Sequence, residues 1–308
     1  MPVLSAQNLS RFFRIANSIS LVLVFFFTAY SQPDEAIIVD STLVVMNATI
    51  IDARGKPVSG LKKEQFSIFE DGLEQRIELF AAEETPFAAA ILIDTSGSME
   101  ERVSLARSAA IQFLYGLRAE DVAAIYTFDS RVESIQDFSG SRDIAHRIFD
   151  KKADGMTALN DAIIRAANDL SRRPEKRKAI VVLSDGEDTI SRKSAESALR
   201  AALEANALIY TVDMSTTNLS AQRRVQNQGV LKKFAEKTGG IFVPTPGGAA
   251  MREAFKNIAE ELGVQYTLGY QPPAVSKDGK WHHLELKVNR PNLTIRTRKG
   301  YQTQKKKG

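Results

Sequence analysis

Asp94, Ser96 and Ser98 stand two residues apart in Asp94-Thr95-Ser96-Gly97-Ser98, immediately after an apolar run from residue 88 to residue 93. Two further segments offer matching oxygen donors: Gly155-Met156-Thr157, ahead of a helical pattern starting near Ala158, and Leu183-Ser184-Asp185-Gly186, which ends another apolar run. Three hydroxyls and two carboxylates brought to one rim suit a hard divalent cation. Mg²⁺ takes six oxygens at about 2.0 to 2.1 Å and keeps several waters, so neutral hydroxyls backed by acids fit it. A simpler role is helix capping, since Ser and Asp before a helix satisfy free backbone donors. One capping residue suffices for that, whereas the first loop supplies three. Thr157 has the same alternative, as cap of the helix at Ala158. Asp161 either orients the cation loop or is a solvated acid in the first helical turn, where the helix dipole favours it.

These residues need elements that carry them to a common edge. From residue 36 to residue 80 the pattern is β, with Val44, Met46, Ala48 and Ile50 on one face and two strands around Asp71-Gly72 between Phe66 and Phe80. From Phe87 strands alternate with helices. Residues 88 to 93, 122 to 128, 179 to 183, 208 to 212 and 241 to 243 read as buried strands, and helical spacing falls near 103 to 117, 158 to 170, 192 to 205, 220 to 237 and 249 to 262. Such βα units imply a doubly wound α/β fold with a mainly parallel, Rossmann-like sheet, whose strand carboxyl ends are where ligands bind. After Gly263 the pattern returns to β through Tyr266 to Tyr270, Leu284 to Val288 and Leu293 to Ile295. Neither β flank is long enough to bury a core alone. The expected organisation is therefore residues 32 to 86 and 263 to 302 packed as one small β-domain, with residues 87 to 262 inserted as the α/β domain.

Asp94-x-Ser96-x-Ser98, with Thr157 and Asp185, resembles the metal-ion-dependent adhesion site of von Willebrand factor type A domains, over roughly residues 87 to 262. The resemblance implies Ser96, Ser98 and Thr157 as direct ligands of Mg²⁺ (or Mn²⁺ or Ca²⁺), Asp94 and Asp185 as acids acting through water, and an open position for a Glu or Asp of a protein partner. Asp161 is a candidate for the shell behind the ligands. Two departures stand out. The loop before the threonine reads Asp154-Gly155-Met156-Thr157, where many relatives have paired glycines, and Glu101 and Arg102 replace the adjacent aspartates that hold a second ion in integrin-type relatives. The flanking segments Phe66 to Gly72 and Tyr266 to Tyr270 are similar to those of a bacterial secreted subgroup.

Composition narrows the remaining choices. The chain has 308 residues, 41 Lys and Arg against 37 Asp and Glu, three histidines and no cysteine. Without sulfur there is no disulfide scaffold, thiolate zinc site or cysteine nucleophile. Arg11 and Arg14, the apolar run from Ile19 to Ala29 and the small residues of Ala29-Tyr30-Ser31 read as a signal peptide over residues 1 to 31. A membrane contact arises only if that segment is retained. Its removal leaves 39 basic against 37 acidic residues, too even a balance to imply a nucleic-acid partner. No Gly-x-Gly-x-x-Gly follows a strand and no Walker lysine is present, so a nucleotide cofactor is not expected. Trp281-His282-His283 precedes an alternating run and reads as a strand start, His146 as an exposed helical residue, and residues 303 to 308 as a solvated basic tail. The expected function is a secreted or periplasmic, non-enzymatic module that captures an acidic side chain through its cation. The alternatives are an envelope scaffold with a structural metal and a Mg²⁺-dependent phosphohydrolase using Asp94 as nucleophile.

Overall fold

A computed structural model describes residues 43–82, 85–141, 155–216, 220–244, 247–272 and 280–303. The segment at residues 1 to 31 that reads as a signal peptide, His146, Asp154 and the lysines of the basic tail lie outside the described residues. Among those described, no helix is long and apolar enough to cross a membrane.

The α/β domain is built on a six-stranded sheet. Its strands are β5 (Phe87–Asp94), β6 (Val122–Phe128), β7 (Val132–Ser139), β8 (Arg177–Ser184), β9 (Ala207–Asp213) and β10 (Phe242–Val243), in the order β10-β9-β8-β5-β6-β7. All neighbours are parallel except β7, which runs antiparallel to β6 along one edge. Every residue of β5 is buried, as the continuous apolar run requires of a strand covered on both faces. Alternate side chains divide between two cores. Ala89, Ile91 and Ile93 face α1 (Val103–Tyr115), whereas Ala88, Ala90 and Leu92 face α2 (Leu159–Ser171). The second face is also covered by α3 (Ala195–Glu204) and α4 (Ala221–Thr238), and the first by α5 (Gly248–Gly263). In α5 the stripe Met251, Phe255, Ile258 and Leu262 is buried, and Phe255 meets Phe113 of α1 edge-on at 6.3 Å between ring centroids. Each such side chain contributes about 1.5 to 3 kcal/mol by leaving water.

The two β flanks interleave in two four-stranded sheets. One has the order β13-β1-β11-β4 and the other β14-β12-β2-β3, where β1 is Val44–Ile51, β2 Phe66–Glu70, β3 Leu73–Gln75, β4 Leu79–Ala81, β11 Tyr266–Tyr270, β12 Trp281–Val288, β13 Thr294–Thr297 and β14 Gly300–Gln302. Met46, Ile50, Ile68, Tyr266, Leu268 and Leu284 share their core. The segment from Phe66 to Phe80 was expected to give two strands. It gives β2 and β3 in one sheet and then β4 in the other, paired with β11 through Ala81 and Thr267. The chain therefore enters and leaves the α/β domain along two neighbouring strands.

Arg177, fully buried at the start of β8, holds that junction. Its Nη2 donates to Ala82 O at 2.7 Å and its Nη1 to Thr85 O and Gly263 O at 3.4 and 3.3 Å. A second polar junction surrounds Glu261 near the end of α5. Thr49 Oγ1 and Tyr210 OH donate to its Oε1 at 3.1 and 2.8 Å, and Arg296 of β13 donates to Oε2. Asn47, a glycosylation triplet as a string, is buried in the same junction. Its amide donates to Lys176 O and Asn206 O and its carbonyl accepts from Thr267, so no glycan fits there.

Candidate functional site

β5 lies between β6 and β8, and the chain order reverses there: β6 and β7 build outward on one side, β8, β9 and β10 on the other. The carboxyl ends of β5 and β8 thus form a topological switch point, where loops diverge and leave a crevice. Asp94 ends β5, and Asp185 directly follows β8. The same local device recurs at four strand ends. Asp94, Asp129, Asp185 and Asp213 each accept a hydrogen bond on Oδ1 from the backbone N–H two residues on, at 2.9, 2.9, 3.0 and 2.9 Å. This side-chain turn lets the chain leave a buried strand without losing a donor.

The three segments picked out by spacing come together. Gly97 N donates to Gly155 O at 3.3 Å, tying the first loop to the second. Ser96 Oγ and Ser98 Oγ lie 3.1 Å apart. Ser96 is buried and Ser98 exposed, so this pair runs from the floor of the site to solvent. Asp94 Oδ2 accepts from Ser184 Oγ at 2.6 Å, and Ser184 Oγ in turn accepts from Gly186 N at 3.0 Å. Ser184 therefore bridges the two acid-bearing strands, a role that its place beside Asp185 only hinted at.

Thr157 is buried but does not cap the helix behind it. The residue preceding α2 is Ala158, and no side chain caps it from that position. The free N–H groups of α2 are instead met from the loop after β8: Asp188 Oδ2 accepts from Asn160 N at 2.7 Å and Ser191 Oγ from Asp161 N at 3.1 Å. Asp188 is half-buried as it accepts this bond. Thr157 itself is pinned through its backbone, its N–H donating to Thr189 Oγ1 at 2.9 Å and its O accepting from Thr189 N and Ile190 N. Its hydroxyl is left to the crevice. Asp161 accepts from Arg192 N and Lys193 N at 3.0 and 3.2 Å, so it orders the loop after β8. Met156 and Ile190, 56% and 44% exposed, give the rim two apolar side chains on either side of Thr157.

Electrostatically the site is short of positive charge. Burial pushes the Asp94 carboxyl up to about 7, with the nearby Asp185 adding to the rise against hydrogen bonds from Ser184 and Ser96. Among the described residues no Lys, Arg or His forms an ion pair with Asp94 or Asp185. The donor set fits a hard cation by a second measure too. Adjacent ligands at about 2.1 Å in an octahedron are about 3.0 Å apart, close to the 3.1 Å between the serine hydroxyls.

No curated protein matches the sequence. Among solved structures, the PilB minor pilin from Streptococcus sanguinis is 16% identical over 58% of this chain and 61% of that chain, with a TM-score of 0.46. The chain thus spans less than two thirds of that pilin. A von Willebrand factor type A protein from Catenulispora acidiphila is 13% identical over 85% and 73% of the two chains, at a TM-score of 0.48. The vWF domain of the type V pili tip protein Mfa5 from Porphyromonas gingivalis is 14% identical over 64% and 99%, at 0.49. The family model of the von Willebrand factor type A domain matches residues 89–187. Over that stretch, from the second residue after the start of β5 to the loop that follows β8, the chain is similar to von Willebrand factor type A domains.

Proposed function

We propose that this chain is a non-enzymatic protein-binding module that captures a Glu or Asp side chain of a partner through a divalent cation, Mg²⁺ in the first instance, held at the strand ends. The observation that carries the reading is the bond from Gly97 N to Gly155 O, which ties the loop of Ser96 and Ser98 to the loop of Thr157 beside Asp94 and Asp185, two acids that form no ion pair with a cationic side chain among the described residues. Ser96 Oγ, Ser98 Oγ and Thr157 Oγ1 would hold the ion directly, and Asp94 and Asp185 would hold its water. When bound, the cation supplies an electrophilic coordination position for an incoming carboxylate, because hydroxyl ligands leave most of its charge uncompensated.

The chain's own residues do the rest. Ser184 and Ser96 fix both oxygens of Asp94, so the acid does not swing out. The bond between Gly97 and Gly155 keeps the two hydroxyl loops in register. Met156 and Ile190 flank Thr157 with apolar surface that excludes water from an arriving side chain and strengthens a charged contact there. The same bonds weigh against phosphoryl transfer. A nucleophilic carboxylate must present an oxygen to substrate, whereas Asp94 is fully buried with both oxygens engaged. An exported or envelope setting follows from the leader-like start of the sequence and belongs to the same proposal.

The test is calorimetric titration of Mg²⁺ and Mn²⁺ into chelator-stripped protein beside Ser96→Ala, followed by a glutamate-containing peptide with and without the cation. Saturable cation binding lost in Ser96→Ala, and peptide binding abolished by chelator, is the expected result. Equal binding by both proteins would remove the strand-end assignment.

A further inference from the structure

The β-domain holds a second set of ligating side chains. Glu70 ends β2, Asp71 opens the turn after it, and His282 lies on β12, the strand paired with β2. One ligand atom from each lies within 4.8 Å of the others. His282 Nδ1 is 2.9 Å from Asp71 Oδ2 and 3.2 Å from Glu70 Oε1.

The surroundings hold each group in place. Tyr301 OH donates to Glu70 Oε1 at 2.8 Å and Tyr270 OH to Oε2 at 2.7 Å, so a glutamate occupies an inward position of β2 with both oxygens oriented. Asp71 Oδ1 accepts from His283 N at 2.8 Å, which turns Oδ2 toward the imidazole. The His282 ring stacks on Tyr301 with centroids 5.3 Å apart. His283 points elsewhere, its Nδ1 against Lys299 O at 2.8 Å.

Hydrogen bonding alone leaves this cluster incompletely explained. Nδ1 of an imidazole carries at most one hydrogen, yet two carboxylate oxygens lie within reach of it. The three atoms lie within 4.8 Å of one another, near enough for one cation to draw them together. Adjacent ligands about 2.1 Å from an octahedral ion are about 3.0 Å apart, between the two distances observed here. One nitrogen with two carboxylates favours a first-row transition ion over Mg²⁺, which takes oxygen ligands. The Asp71 side chain is 51% exposed and gives an ion a way in.

We propose that Glu70, Asp71 and His282 form a second divalent-metal site, for a transition ion of the Zn²⁺ or Mn²⁺ class, that clips the N-terminal flank to the C-terminal flank of the β-domain. It is independent of the strand-end cation. Binding there stabilises the β-domain by mass action, since the site does not exist in the unfolded chain.

The experiment uses the chelator-stripped full chain carrying Ser96→Ala, which removes the strand-end ligand set from the measurement. Zn²⁺ and Mn²⁺ are titrated calorimetrically into this parent and into parents that also carry Asp71→Asn or His282→Gln. Asn adopts the positive φ of 49° at position 71 readily, so the turn is retained. We expect one saturable site in the parent, with affinity at least tenfold weaker in both further variants and no competition from equimolar Mg²⁺. Lack of binding by the parent, or affinity unchanged by Asp71→Asn and His282→Gln, overturns the proposal.

Discussion

Replacing Asp94 by Asn tests the electrostatics of the strand-end site without needing a partner. In the cation-free protein burial raises the Asp94 carboxyl from 3.8 to about 7. The folded state therefore holds a proton that the unfolded chain releases between about pH 4 and pH 7. Stability contributed by this group is fully present below the unfolded value and is lost as pH rises through the folded one. A rise of about three units at about 1.4 kcal/mol each gives a loss of about 4 kcal/mol by pH 8. Asn keeps an acceptor for Ser96 N and can donate to Ser184 Oγ, which needs only a hydroxyl rotation. The assay is urea unfolding followed by circular dichroism, in chelator, at pH 5, 6, 7 and 8 for both proteins. Their difference cancels the titration of carboxylates such as Asp71 and Glu175, which hydrogen bonds with His283 N–H and with Arg173 respectively help to hold below the usual range. The variant should gain on the parent with rising pH and exceed it by several kcal/mol at pH 8. Parallel curves would refute the claim that Asp94 is a buried acid awaiting positive charge.

Three further substitutions probe the framework. Gly186→Ala places a Cβ 2.6 Å from Asn227 O at a φ of +83°, and should cost at least about 2 kcal/mol by urea unfolding while weakening cation binding through the adjoining Asp185. Arg177→Met removes the donor from Ala82 O, Thr85 O and Gly263 O, and should cost about 3 kcal/mol and expose both connections to limited proteolysis. Glu261→Ala leaves Arg296 and Tyr210 without their acceptor in a buried setting, for about 3 to 5 kcal/mol; calorimetric unfolding should then split into two transitions as the β-domain and α5 uncouple.

The α/β architecture was legible because β5 and β8 are continuous apolar runs and because α5 repeats its apolar stripe without interruption. β7 was not. Its sequence Val-Glu-Ser-Ile-Gln-Asp-Phe-Ser does not alternate cleanly, and its pairing with β6 contains register shifts, so the side-chain pattern of an ordinary strand is broken. β4 was hidden for another reason: its three residues belong to a different sheet from the strand before it. At the strand ends, the Asp-x-Ser-x-Ser spacing marked the first loop from sequence alone. The part played by Ser184, Asp188 and Thr189 depends on hydrogen bonds spanning 28 to 90 residues, which no local pattern encodes. His282 is the extreme case. It read as the opening of a strand, and it is one, but its neighbours Glu70 and Asp71 are brought to it only by the register that sets Leu284 opposite Glu70.

The interleaving of the two flanks has a mechanical consequence. Tension applied to the chain at β1 and at β14 crosses from one flank to the other where β1 is bonded to β11 and β13 and where β2 is bonded to β12, bypassing the inserted domain. A pull exerted at the strand-end site follows a different line, down β5 for eight residues, or roughly 25 Å, to Phe87 and the carbonyls gripped by Arg177. The inserted domain is thus loaded only from the end that carries the strand-end site, and its fold is shielded from stretching of the polypeptide on either side.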